Sequence, residues 1–144
     1  MAVRRAQASW ENGLTDGSGQ VALESGVCGS FEVNWRARTE GGAETSPEEL
    51  LAGAHAACFA MALSHELEEA GNAPDLLEVE ADVEFGPVQA GFAVKSSKLK
   101  VRGKVPGVDD AAFQKAARGA SQGCPISVAL KGNVEISVEA ELAN

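Results

Sequence analysis

Residues 46–71 read SPEELLAGAHAACFAMALSHELEEAG and predict the longest helix of the chain. Ser46 can cap this helix, Pro47 suits its first position, and Glu49, three residues after Ser46, completes a capping box. Gly71 is a favourable residue for the helix end. The predicted helix has about 25 residues and therefore a length of about 37 Å, since the rise is 1.5 Å per residue.

Alternating residues predict strands on both sides of this helix. Glycines break up the first 38 residues in a way that suits short strands joined by tight turns. Residues 76–85 (LLEVEADVEF) alternate apolar with acidic positions, and residues 98–104 (KLKVRGK) alternate apolar with basic ones. We expect these two strands to pair antiparallel, because acidic side chains then face basic ones. A last alternating strand is predicted at 134–142.

A second helix is predicted from Asp109 to about Ser121, followed by a short helical turn that begins at Cys124 and closes before Gly132. The order of strands, long helix, strands, second helix and last strand lacks the regular alternation of a parallel sheet. We therefore predict an α+β fold, in which antiparallel sheets pack around a second helix and a long central helix that bears Cys58.

Composition narrows the class of protein. The 144 residues contain no linker or charge block, so we predict a single domain over residues 1–144. The net charge of −9 would repel nucleic acid and anionic membrane surfaces, and neither is expected as a partner. No window approaches the roughly 18 consecutive apolar residues of a membrane span. The first ten residues lack the apolar stretch of a secretory signal, so a cytoplasmic location is expected.

The three cysteines are Cys28, Cys58 and Cys124, an odd number at wide spacing that argues against a structural disulfide framework. Cys58 lies among small residues of the long helix, where a cysteine can also be an inert core residue. Cys124 lies at the start of a predicted helical turn, where backbone N–H groups favour a thiolate. The two thiols would form a peroxidase site if the fold brings them together, because a sulfenic acid on one can condense with the other.

Four stretches of the chain resemble the OsmC/Ohr family. Residues 45–51 (TSPEELL) and 54–63 (AHAACFAMAL) resemble its first-cysteine helix, and residues 123–127 (GCPIS) resemble its second-cysteine motif. Residues 90–93 (AGFA) resemble a segment of the OsmC branch of the family, and residues 55–58 (HAAC) of the first motif also favour that branch. The resemblance covers nearly the whole chain, in order.

This resemblance implies an intertwined homodimer that reduces organic hydroperoxides to alcohols as an antioxidant stress protein. It implies no cofactor. The reductant would be a dithiol, with a lipoyl-type dithiol among the candidates. The catalytic set of the family is two cysteines, an arginine and a glutamate, which correspond here to Cys58 as nucleophile, Cys124 as resolving thiol and Glu48 as the glutamate.

The arginine has two candidates. Arg38 is the better match by spacing, and Arg36 is its competitor because residues two apart along a strand share a face; the arginine could come from the same chain or from the second chain of a dimer. Glu48 lies about 15 Å along the helix from Cys58, so it would act by orienting this arginine. The guanidinium would then lower the pKa of Cys58 and donate hydrogen bonds to the peroxide. Without such a role, Glu48 would only favour the helix N-terminus electrostatically.

Other interpretations stay open. His55 and His65 flank Cys58, but no third ligand stands at suitable spacing, so no metal site is expected. Cys28 matches no family motif and is expected to be structural or incidental. The competing classes are a non-catalytic stress-related binding protein of the same fold and a small-ligand or metal-binding module. The few aromatic residues are core candidates, some of which would line a pocket for an alkyl tail: Trp10, Trp35, Phe59 and Phe92.

Overall fold

The computed structural model describes residues 1–144 and has an α+β architecture, as the sequence predicts. The strands are β1 (Ala6–Glu11), β2 (Ser18–Leu23), β3 (Ser30–Val33), β4 (Leu76–Val88), β5 (Gly91–Lys104) and β6 (Glu135–Leu142). The helices are α1 (Trp35–Thr39), α2 (Pro47–Glu69), α3 (Asp110–Gly123) and α4 (Pro125–Leu130). The chain divides into two compact units, Met1–Leu50 and Leu51–Asn144, and the single-domain organisation stays a prediction.

The first unit contains an antiparallel sheet in the order β1-β2-β3. Gly19 lies in its central strand, where a methyl group would approach the Ser9 carbonyl oxygen to 2.5 Å and the Trp10 ring to 2.7 Å. Only glycine therefore allows the indole to pack directly on this strand. The strands expected from the glycine-rich N-terminal third are present.

The helix α1 was not predicted, and the expectation that Arg36 and Arg38 share a strand face is wrong. Asn34 ends the extended segment because its side chain accepts a hydrogen bond from the Ala37 backbone N–H at 2.8 Å, which starts a helical turn. In a helix, residues two apart point to different sides. Arg36 and Arg38 therefore have different surroundings.

The start of α2 follows the prediction, with one change in the cap. Ser46 Oγ accepts a hydrogen bond from the Glu49 backbone N–H at 3.1 Å, as a capping box requires. The Glu49 carboxylate, however, accepts from Thr45 Oγ1 at 2.7 Å. The helix has 23 residues, about 35 Å in length, and Gly71 follows it with a φ of +85°.

By length and composition alone, α2 could cross a membrane, a property that core helices of soluble proteins share. Phe59, Leu63 and Leu67 lie four residues apart on one face, and each is at most 2% exposed. They pack with side chains of α3 and β5 in the core of the second unit. A different face of the helix carries Ala57 and Met61, which are exposed.

The second unit contains a sheet in the order β4-β5-β6. The strands β4 and β5 are antiparallel, and their register places acidic residues of β4 opposite basic residues of β5, as predicted. The pairs are Glu78 with Arg102, Glu80 with Lys100 and Asp82 with Lys98. Lys100 also reaches Asp82 diagonally, at 3.2 Å. Such solvent-exposed pairs contribute little to stability, so they select the register more than they stabilise the sheet.

The strand β6 corrects the expectation of purely antiparallel sheets, because it pairs parallel to β5. Parallel pairing requires a long crossover, and α3 with α4 supplies it. Phe113 of α3 is fully buried, and a methyl group at Gly103 of β5 would lie 2.6 Å from its Cζ atom. The glycine therefore lets the α3 crossover pack closely on the sheet. This crossover positions α4, whose N-terminus carries Cys124.

Candidate active site

Cys124 is the N-cap of α4, which confirms its predicted place at the start of a helical turn. Its backbone is extended, with φ −62° and ψ 136°, and its sulfur accepts a hydrogen bond from the Ser127 backbone N–H at 3.3 Å. Pro125 follows at the first helical turn, where the missing N–H costs nothing. The side chain is fully buried. Cys124 therefore combines exclusion from solvent with a backbone donor aimed at its sulfur.

Cys58 of α2 meets this cap. Its thiol lies near enough to the Cys124 side chain and to the Ile126 backbone N–H, in the first turn of α4, for both groups to change its pKa. Cys58 is half-buried and packs against the core cluster that contains Cys124. Both cysteines are free thiols. The fold therefore brings two of the four predicted site residues near each other, although they lie far apart in the sequence.

Burial raises the pKa of Cys58 above that of an ordinary thiol. The Ile126 N–H opposes this effect because it stabilises the thiolate, whereas the neighbouring Cys124 adds to the increase. The effects that raise the pKa outweigh the hydrogen bond from Ile126, so the net shift of the Cys58 pKa is upward. Since the thiolate is the reactive form, rapid oxidation near neutral pH would require an additional cation or donor beside the sulfur.

Behind Cys124, a line of hydrogen bonds leads to a buried histidine. Ser127 Oγ lies 3.2 Å from Cys124 Sγ and 2.8 Å from His55 Nε2, and His55 Nδ1 lies 2.7 Å from Ser97 Oγ. All four side chains are at most 2% exposed. Burial lowers the pKa of His55, so its imidazole is neutral near pH 7.

This line was not predicted from the sequence, in which His55 was a candidate metal ligand. His65, the other candidate ligand, is exposed, and no three His, Cys, Asp or Glu side chains cluster as metal ligands do. A signal was present in the sequence, because His55 precedes Cys58 by three residues and Ser127 follows Cys124 by three. Helical periodicity places each pair on one face, but only the fold shows that the faces meet.

In the first unit, Arg38 is the arginine that pairs with Glu48. Two parallel hydrogen bonds join them, from Nη2 to Oε1 at 2.8 Å and from Nε to Oε2 at 3.2 Å. The Glu48 side chain is 7% exposed, so this pair is substantially desolvated. The guanidinium also lies 5.7 Å from the ring centroid of Trp35. Arg36 instead pairs with Glu40 at 3.1 Å, and both of those side chains are solvent-exposed.

An apolar cavity of about 330 Å³ lies beside this ion pair. Its lining includes Trp10, Trp35 and Arg38, so two of the four aromatic candidates are at a cavity wall. Of the other two, Phe59 is a core residue and Phe92 stacks on Phe85 with ring centroids 5.5 Å apart. The cavity therefore offers an apolar surface with one fixed cationic group.

Cys28 lies in a loop between Gly26 and Gly29 and is exposed, unlike the other two cysteines.

The chain has an α+β fold in which a thiol on a long core helix packs against the cluster that contains a second thiol, at a helix cap. The chain belongs to the OsmC-like protein family, whose family model matches residues 39–139. It is 41% identical to the peroxiredoxin OsmC of Escherichia coli (strain K12) over 136 residues, which are 94% of this chain and 95% of the relative.

Two solved structures have the same fold. An organic hydroperoxide resistance protein from Elizabethkingia anophelis is 28% identical, with a TM-score of 0.80 over 99% of this chain and 97% of the other. The organic hydroperoxide resistance protein OhrB of Bacillus subtilis is 29% identical, with a TM-score of 0.75 over 95% of this chain and 98% of the other. The family resemblance found in the sequence motifs is therefore confirmed.

Proposed function

We propose that the protein is a thiol-dependent peroxidase that reduces organic hydroperoxides to alcohols. The observation that carries this proposal is that Cys58 packs against the core cluster containing the buried Cys124, which caps α4, and that Cys124 is near enough to change the pKa of Cys58. Two thiols held in this way can store and release two electrons as a disulfide. The names of the related peroxiredoxin and organic hydroperoxide resistance proteins support the same chemistry.

The reaction has three steps. The Cys58 thiolate attacks the distal peroxide oxygen, the O–O bond breaks, and the alkoxide leaves as an alcohol after taking up a proton. Cys124 then attacks the resulting sulfenic acid, which forms the disulfide and releases water. A dithiol reductant reopens the disulfide by thiol–disulfide exchange, and a lipoyl-type dithiol remains a candidate. A cytoplasmic location would supply such a reductant.

Arg38 and Glu48 have a supporting role in this proposal, which rests on the family resemblance. The raised pKa of Cys58 leaves the thiolate in need of a cation, and a guanidinium can supply it. The two hydrogen bonds that Arg38 donates to Glu48 fix the guanidinium plane, and this guanidinium would donate hydrogen bonds to a peroxide. The apolar cavity beside Arg38 would hold an alkyl tail, which favours organic hydroperoxides over hydrogen peroxide.

A thiol count tests the function. We expect the reduced protein to lose two of its three thiols per chain after mixing with an equimolar amount of cumene hydroperoxide. A Cys28→Ser variant is the matched control, since it should lose the same two thiols and retain none. Unchanged thiols in both proteins would rule out the peroxidase and leave a non-catalytic protein of the same fold, in which the raised pKa keeps Cys58 inert.

The exposed face of α2 supports the predicted homodimer. Met61, at the middle of α2, is 74% exposed. Only 22% of the most apolar 18-residue stretch of this helix is buried. The neighbouring exposed residues Ala57 and Gly53 are small. A second copy of the chain can cover this face closely, because small residues permit near approach. We expect light scattering at micromolar concentration to give twice the chain mass of 14.8 kDa.

A substitution at this face should weaken the dimer. Met61→Glu places a charge at the proposed interface, whereas Val128→Glu places one at an equally apolar residue of α4 that is 56% exposed. The first variant should dissociate at higher protein concentration and the second should not. A mass near 14.8 kDa for the unsubstituted protein would contradict the dimer.

A further inference from the structure

The hydrogen-bonded line from Cys124 through Ser127 and His55 to Ser97 has no part in the family mechanism described above. Buried polar side chains are normally hydrogen-bonded, so the presence of partners alone carries no functional meaning. This line is distinctive because it begins at the Cys124 sulfur, which reacts in the proposed mechanism, and contains a titratable base, His55. It also crosses three elements, since His55 lies in α2, Ser97 in β5 and Ser127 in α4.

The geometry suits the transfer of a proton away from Cys124. In the tautomer that carries its proton on Nδ1, His55 donates to Ser97 Oγ at 2.7 Å and accepts the Ser127 hydroxyl proton at Nε2, at 2.8 Å. Ser127 Oγ is then left to accept the Cys124 S–H at 3.2 Å. In this tautomer, the basic nitrogen of His55 faces the resolving thiol through Ser127.

The condensation step needs such a base. Cys124 must lose its proton to attack the sulfenic acid, and its burial excludes bulk water from the sulfur. The Cys124 sulfur has hydrogen-bonding contacts with the Ser127 N–H and the Ser127 hydroxyl, and the Cys58 thiol lies near it. Of these, only the Ser127 hydroxyl connects Cys124 to a neutral base.

We propose that His55 is a positioning residue that accepts the Cys124 thiol proton through Ser127 during disulfide formation. The Cys124 S–H proton passes to Ser127 Oγ as the Ser127 O–H proton passes to His55 Nε2. The Cys124 sulfur then attacks the Cys58 sulfur, the S–S bond forms, and the S–O bond of the sulfenic acid breaks. The departing hydroxide takes the proton back from this line, so the products are the disulfide, one water molecule and neutral His55.

The neutral state of His55 fits this cycle, because burial lowers its pKa and so disfavours a lasting imidazolium. The proposal rests on the peroxidase function and deepens it. It assigns His55 and Ser127 to the second step and leaves the first step, oxidation of Cys58, to the groups around that thiol. That separation is what an experiment can measure.

The test follows both steps after rapid mixing of reduced protein with one equivalent of cumene hydroperoxide. A dimedone-type probe reports the sulfenic acid, and the thiol count reports the disulfide. The variants are His55→Gln, which keeps hydrogen bonds but cannot accept a proton, and Ser127→Ala, which cuts the line. We expect both to form the disulfide about 100-fold more slowly, while sulfenic acid formation changes by less than about threefold. Ser127→Thr, which retains a hydroxyl, should restore most of the rate.

Several results would overturn the proposal. His55→Gln with normal disulfide formation would show that no proton acceptor is needed there. Equal slowing of both steps, or failure of Ser127→Thr to recover the rate lost in Ser127→Ala, would assign these residues a purely structural role. If the unsubstituted protein forms no sulfenic acid at all, the peroxidase function itself is wrong and the relay falls with it.

Discussion

Replacing Cys58 with serine should abolish the reduction of organic hydroperoxides. A hydroxyl near neutral pH is almost wholly protonated and lacks the nucleophilicity of a thiolate, so we expect turnover to fall by about 10⁴-fold or more, the scale seen when a catalytic nucleophile is removed. Steady-state turnover with tert-butyl hydroperoxide and dihydrolipoamide would measure the loss. Repeating the assay with the thioredoxin system and with hydrogen peroxide would identify the preferred reductant and substrate.

Cys124→Ser provides the matched comparison, because it removes the resolving thiol and leaves Cys58 in place. Its first oxidation should survive, with a sulfenic acid that a dimedone-type probe traps, while turnover falls or depends on an external thiol. Cys28→Ser should behave like the unsubstituted protein. If the variants at Cys58 and Cys124 lose single-turnover oxidation equally, the assignment of nucleophile and resolving thiol is wrong.

Arg38→Ala should slow the oxidation of Cys58 by about tenfold or more near neutral pH. A cation close to a thiolate lowers its pKa by about one unit or more, and below that pKa each unit changes the reactive fraction about tenfold. Arg38→Lys should recover only part of the rate, because an ammonium group keeps the charge but not the two parallel hydrogen bonds to Glu48. The rate of sulfenic acid formation as a function of pH is the measurement.

The pH dependence separates two effects of this arginine. Without the cation, the pKa of Cys58 is higher, so the loss due to a smaller thiolate fraction should shrink as the pH rises through that pKa. A loss that persists at alkaline pH would reflect the hydrogen bonds to the peroxide. Arg36→Ala is the control, since Arg36 forms only an exposed pair with Glu40. An unchanged rate in Arg38→Ala together with a loss in Arg36→Ala would transfer the role to Arg36.

Local sequence signals predicted those parts of the fold that depend on near neighbours. The cap at Ser46 and the alternation of the acidic and basic strands are properties of short windows, and α2, β4 and β5 follow them. The five-residue α1 escaped prediction because it depends on a single cap at Asn34. The parallel direction of β6 also escaped, because alternation shows which residues share a face but not which way a strand runs.

The candidate site was likewise predictable only in part. Family motifs indicated the two cysteines, Glu48 and either Arg38 or Arg36, and only the helical backbone of α1 shows that Arg38 is the arginine that pairs with Glu48. The line behind Cys124 joins His55 to residues 42 and 72 positions away. Contacts at such separations follow from the complete packing of α2, β5 and α4, and no local pattern encodes them.

The parallel crossover between β5 and β6 has a consequence for the order of folding during synthesis. Cys58 leaves the ribosome well before Cys124, and Ser127, β6 and the pairing that fixes α4 arrive later still. Until the C-terminal strand docks, the nascent chain carries Cys58 as an ordinary thiol with neither a capping helix nor a second sulfur beside it. The two thiols therefore become neighbours only in the finished molecule, so a chain cut short before Cys124 cannot form the proposed disulfide.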